Sequence, residues 1–140
     1  MKYLIYKDNQ THVYLEKRTI VCNVVPQTFI KELCLSRLFS YDGMVQAIKQ
    51  KLNIKTNVPI YLSYELIVFP IACPRYKETI WLNYKKIYRY LKEDYQTKVI
   101  FWDKTSIRLN VSYKTIEKKL RECEKIINHM ATEKMSVYNM

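Results

Sequence analysis

The chain has 140 residues, enough for one domain whose core folds without metal or disulfide staples, and too few for two comfortable independent domains. Its composition, 49% hydrophobic with 13 Tyr, 4 Phe and 2 Trp, excludes disorder as the overall state and leans toward β-structure. Twenty-four Lys plus Arg against 13 Asp plus Glu leave a formal charge of +11, a field that attracts polyanions, so nucleic acid leads the partner classes.

In chain order, Tyr3 to Tyr6 and Thr11 to Glu16 are β-rich runs separated by Lys7-Asp8-Asn9-Gln10. Asp and Asn tolerate turn conformations, which predicts an opening hairpin. A third apolar run, Thr19 to Val25, stops at Pro26. Thr28 then caps a short helix carrying Phe29, Ile30, Leu33 and Cys34 at helical spacing. Ser40 caps a second, with Val45, Ile48 and Leu52 along one face and Lys49, Gln50 and Lys51 looking outward; it ends at Lys51-Leu52-Asn53.

From Pro59 the period shortens. Ile60 to Leu62, Leu66 to Phe69, Thr79 to Leu82, Lys98 to Trp102 and Ser106 to Val111 are β-branched or aromatic runs that predict antiparallel strands. The connection Pro70 to Lys77 predicts an exposed basic loop, and Asp103-Lys104-Thr105 a tight hairpin turn without glycine. Ser112 caps a long helix with Tyr113, Ile116, Leu120, Cys123, Ile127 and Met130 in a narrow, heptad-like stripe. Residues from Thr132 onward are expected to fray. The fold class is therefore α+β: a single domain over residues 1–131 and a tail over 132–140, with a mostly antiparallel multi-stranded β-sheet, two short inserted helices near residues 28–52 and a long C-terminal helix. Phe69, Trp81 and Ile87 are expected in its core.

Few residues suggest catalysis. His12 and His129 lie in no Ser/His/Asp or Cys/His signature, so a small enzyme would need a pocket joining one of them to a carboxylate or thiol. With 1 Gly in the chain, glycine-rich phosphate loops are excluded, because a Cβ obstructs the close backbone approach they need. Glu93-Asp94 reads as a solvated turn rather than an acid/base pair. Cys22, Cys34, Cys73 and Cys123 are too dispersed for zinc, and no other cofactor is expected. The apolar start is too short for a signal peptide, and no run approaches the roughly 20 apolar residues of a membrane helix. A cytoplasmic protein with reduced thiols, associated with the nucleoid and with no membrane partner, is the expectation.

Basic residues interleaved with aromatics are the strongest local signal. They centre on Tyr84-Lys85-Lys86-Ile87-Tyr88-Arg89-Tyr90-Leu91-Lys92. Regular strand geometry puts Lys86, Tyr88 and Tyr90 on one face and Lys85, Ile87, Arg89 and Leu91 on the other. Arg75 and Lys77 in the proline loop form a second group, and Lys104 with Arg108 at the hairpin a third. Long cations there neutralise phosphates. Arg75, Lys77, Lys85, Lys86, Arg89, Lys104 and Arg108 are accordingly the candidate DNA-facing residues. A solvated strand edge protected by lysines is the competing structural explanation. On the last helix, Glu117 with Arg121 and Lys118 with Glu122 are i,i+4 pairs, which argue for a solvated face.

The ordered elements resemble the ComK family of competence transcription factors from about Thr19 to about Lys125. That family carries a Cys, an aromatic-Gly-Ser-Ser-Tyr-Glu-Gly-Arg segment, a short helix, Pro-Ile, Phe-Pro-Thr, a Trp-Ile-Asn-like element and a Ser-opened final helix. The corresponding positions here are Cys34, Leu38-Phe39-Ser40-Tyr41-Asp42-Gly43-Met44, Val58-Pro59-Ile60, Phe69-Pro70-Ile71, Ile80-Trp81-Leu82-Asn83 and Ser112. Leu38 stands where the family has its first glycine, and Met44 where it has arginine, so no role of that arginine is carried over. The resemblance implies an activator that binds AT-rich promoter DNA as a homo-oligomer, largely in the minor groove, and switches on DNA-uptake genes. RNA polymerase and a proteolytic adaptor are its implied further partners. The LytTR class of DNA-binding domain is also similar, in its late Asn-x-x-x-Ile, strand, hairpin and helix order. A protein-interaction module using the heptad-like helix face is the reading from a different class.

Overall fold

Strands β1 (Tyr3–Lys7) and β2 (Gln10–Tyr14) form the opening hairpin. Its two turn residues, Asp8 and Asn9, have φ of 53° and 60°. This is the turn hand whose twist matches paired strands. Strand β3 (Thr19–Cys22) pairs with β2 at the sheet edge. The computed structural model describes residues 1–72 and 78–138, with side chains of the last helix described to Glu133.

Helix α1 (Pro26–Ser36) begins earlier than expected. Its N-cap is Val25 with Pro26 in the first turn, and Thr28 lies inside the helix rather than capping it. Proline's fixed φ suits the first helical position, and the N–H it lacks would have had no helical partner there. Helix α2 (Tyr41–Leu52) follows the expected caps: Gly43 N donates to Ser40 Oγ at 3.0 Å, and Asn53 at φ 56° ends the helix.

The remaining strands are β4 (Ile60–Ser63), β5 (Leu66–Pro70), β6 (Trp81–Asn83), β7 (Ile87–Glu93), β8 (Gln96–Phe101) and β9 (Ser106–Leu109), followed by helix α3 (Tyr113–Tyr138). They divide into a six-stranded sheet of order β3-β2-β1-β6-β5-β4 and a three-stranded sheet, β7-β8-β9. Every pairing is antiparallel.

The large sheet is sandwiched. Leu4, Val13, Ile60, Leu62, Val68 and Trp81 pack toward Ile30 and Cys34 of α1 and Tyr41 of α2. Ile67, Phe69 and Leu82 face the other way, against Val99, Phe101 and Leu109 of the small sheet and Ile116 and Cys123 of α3. Alternation along β5 therefore feeds two cores, and the strand is buried from Ile67 through Pro70. Phe69 and Trp81 are fully buried as expected, while Ile87 is half-buried against the second cluster. Each such large apolar side chain contributes about 1.5–3 kcal/mol when fully buried.

Helix α3 opens at Ser112, whose Oγ accepts from Thr115 N at 3.2 Å. Its buried stripe is Ile116, Cys123 and Ile126, with Leu120 and Ile127 half-buried and Met130 exposed. Ile126 joins Ile48, Ile54 and Val58 in a small cluster that ties α3 to α2. Glu117 and Arg121 pair at 3.0 Å as expected. Glu122, however, takes Lys119 at 2.7 Å instead of Lys118. Lys119 is buried, and its Nζ also donates to the carbonyls of Thr56 and Asn57 at 2.8 and 2.9 Å. A buried ammonium has to be neutralised and fully bonded, so Glu122 turns inward. The backbone stays helical through Thr132 to Tyr138, across a segment without Gly or Pro.

Candidate nucleic-acid interface

Asn83, fully buried at the end of β6, starts the segment that carries the basic cluster. Its amide donates to the carbonyls of Met1 and Glu65 at 2.9 and 3.3 Å, and its carbonyl oxygen accepts from Ile67 N and Lys85 N, both at 3.2 Å. The last of these bonds caps a 3-10 turn over Tyr84–Lys86. The chain then enters β7 with a register shift between Ile87 and Arg89.

That bulge reassigns the faces. Ile87 pairs with Phe101, Tyr90 with Val99 and Lys92 with Thr97, while Arg89 pairs with Ile100, Leu91 with Lys98 and Glu93 with Gln96. Ile87 and Tyr90 consequently share the core-facing side, where regular alternation would have separated them. Arg89 and Leu91 keep the outer side. Across β8 and β9, Lys98 pairs with Arg108 and Ile100 with Ser106. The outer face of the small sheet thus carries Arg89, Lys98 and Arg108.

The expected site residues are distributed unevenly. Arg89, Lys104 and Arg108 are exposed around the small sheet. Arg108 Nε pairs with Glu93 at 2.8 Å, an exposed contact of small energetic value that phosphate can replace. Lys85 turns away, its Nζ 3.6 Å from the centre of the Tyr64 ring. Lys86 pairs with Glu16 at 2.8 Å and holds that carboxyl below its ordinary range. Arg75, Lys77 and Cys73 lie outside the described residues. Lys98 is the additional cation of this face. It alternates with Thr97 and Val99, both fully buried, and that alternation is the signal by which it is recognisable.

Lys104 sits at the tip of the β8–β9 turn with φ 74°. The turn is anchored from beneath: Asp103 accepts from Thr105 N at 3.1 Å and pairs with Lys2 Nζ at 3.0 Å, while Lys2 also donates to Thr105 Oγ1 at 3.0 Å. The Thr105 hydroxyl first, and Lys2 after it, draw the Asp103 carboxyl down to about 2. Lys2 is a positioning residue in this arrangement, since it locks the N-terminal strand to the turn that projects Lys104.

Beside Lys104, Tyr88 and Trp102 are exposed, with ring centroids 4.5 Å apart at 58°. They share the wall of a cleft of about 300 Å³ with Ile100, Phe101 and Lys104. His12 and His129 stand apart from this region, His12 half-buried on β2 and His129 at an apolar cleft between α2 and α3. Among the described residues no group of three or more His, Cys, Asp and Glu is placed to hold a metal, and no helix is long and apolar enough to cross a membrane.

A family model described as ComK protein matches residues 2–135. No curated protein and no solved structure matches the chain.

Proposed function

The chain belongs to the ComK family of competence transcription factors, which are not enzymes, and from that premise we propose that it activates DNA-uptake genes by binding AT-rich promoter duplex as a homo-oligomer in the cytoplasm. Residues 1–131 act as one DNA-binding domain in this reading. The observation that carries it is the small sheet's outer face, where Arg89, Lys98 and Arg108 lie on three adjacent strands with Lys104 at the neighbouring turn. A two-stranded ribbon or hairpin tip enters a groove without a recognition helix. Narrow A-tract minor grooves concentrate negative potential and draw in Arg and Lys. Arg75 and Lys77 extend the surface in the proposal, whereas Lys85 and Lys86 act at its margin because each already has a protein partner.

Affinity for AT-rich and GC-rich duplexes, measured by gel shift over a range of salt, tests this. The expected result is an AT preference and an affinity that falls steeply as salt rises. A flat salt dependence, or equal affinity for both duplexes, would overturn it.

A further inference from the structure

The geometry points to a second nucleic-acid contact of a different kind: a stacking site for an unpaired nucleobase, formed by Tyr88 and Trp102 beside Lys104. Two local irregularities create it. The β7 bulge lies between Ile87 and Arg89, so Tyr88 is the extra residue of that strand and is freed from the alternation that would bury or pair it. Trp102 stands just past the end of β8, where its backbone N–H donates to the carbonyl of Lys86 at 3.0 Å and pins the base of the hairpin turn to the start of β7. Trp102 is 63% and Tyr88 52% exposed, although both are large aromatics that water disfavours.

The charge around the pair selects the ligand. The cleft of about 300 Å³ is lined by Tyr88, Ile100, Phe101, Trp102 and Lys104, with a cation and no carboxylate in its wall. Asp103 is paired with Lys2 and Glu16 with Lys86, while Glu117, paired with Arg121, and Glu124 line a neighbouring cleft that Tyr88 and Trp102 also wall. An aromatic face with an adjacent ammonium matches a base joined to its phosphate, the combination found in proteins that bind single strands without sequence preference. A paired base in intact duplex keeps its faces stacked and offers neither to Tyr88 nor to Trp102. This contact is therefore additional to duplex binding, with Lys104 common to both.

The structure supplies its own reporter. Of the 2 Trp in the chain, Trp81 is fully buried and Trp102 is exposed, so a base stacking here quenches the fluorescence of Trp102. The full chain is titrated with a fluorescein-labelled oligothymidylate and, separately, with an abasic deoxyribose-phosphate strand of equal length and charge. Oligothymidylate is expected to quench Trp102 and to bind at least about fivefold more tightly than the abasic strand. Trp102→Ala and Tyr88→Ala should each weaken oligothymidylate binding, followed by anisotropy, by about 5- to 100-fold. Their affinity for the abasic strand should stay unchanged, which also shows that they are folded, and Trp102→Phe should restore most of the loss. Equal affinity for the two strands overturns the proposal, as does a Trp102→Ala chain that binds oligothymidylate like the parent. A chain that binds oligothymidylate in this way but shows no preference for AT-rich duplex would sink the duplex reading and leave this one standing.

Discussion

Leu38 shows how one residue can be placed against its own preference. It follows α1 at φ 68° and is 95% exposed. The bonds around it, Leu38 N to Leu35 O at 3.0 Å and Phe39 N to Cys34 O at 3.2 Å, are the pair that closes a helix through a left-handed residue, usually glycine. The resemblance implies glycine here, and the backbone angle supplies a reason: a Cβ is strained in this conformation. Leu38→Gly should therefore raise unfolding stability by about 1 kcal/mol, read from urea denaturation. A loss of stability would mean that the exposed side chain makes a contact the fold requires. Asp103 is the second case. Its carboxyl titrates at about 2 when folded instead of the usual 3.8, so its contribution is fully present above about pH 4 and fades as pH falls through about 2. Asp103→Asn should lower stability at pH 6 and flatten its decline between pH 4 and pH 2, as thermal unfolding at several pH values would reveal.

Among the elements, the segment β6–turn–β7 has the greatest consequence for the site. Asn83 bonds four backbone groups from three parts of the chain, and Asn83 and Ile67 are themselves buried, so the Ile67 N–H is kept from water. Replacing it with Ala strands the buried Ile67 N–H and removes three further part-buried bonds, and each group that water does not reach costs about 1–3 kcal/mol. Asn83→Ala should destabilise the fold by about 3 kcal/mol, measured by chemical denaturation, and a change below about 1 kcal/mol would show that water or rearranged backbone satisfies them instead. The segment's periodicity was only partly legible. Lys85 through Lys92 reads as a continuous strand, but a 3-10 turn and a bulge interrupt it. Neither Gly nor Pro marks the interruption. Asn83 holds the turn from the buried side, and the register against β8 then requires an extra residue. By contrast the β1–β2 turn and the Ser40, Asn53 and Ser112 caps are local chemistry and fall where the residues predict.

At the scale of the whole molecule, the proposed function has the +11 charge presented to DNA by the small sheet. Arg108 is held by Glu93 at 2.8 Å, so in the proposed interface duplex has to compete with that ion pair. Glu93→Gln should tighten duplex binding severalfold at low salt, while Arg108→Ala should weaken it and reduce the salt slope by about 1. Both are measured as affinity against salt concentration. An Arg108→Ala chain with an unchanged slope would remove the outer face from the interface.

The sequence by itself determined the order of the elements other than β7, the antiparallel strands, the Ser40, Asn53 and Ser112 caps and the family, because each rests on local propensity or on residues in linear order. It also made the case for a basic cluster in the second half of the chain. Only the tertiary structure decided that the strands form two sheets with separate cores, that Lys98 joins Arg89 and Arg108 on one face, and that Lys85 and Lys86 are engaged by Tyr64 and Glu16. Those outcomes depend on register and on contacts between residues distant in the chain. A bulge of one residue reassigns a strand's faces, and no local pattern in the sequence encodes which neighbour imposes it.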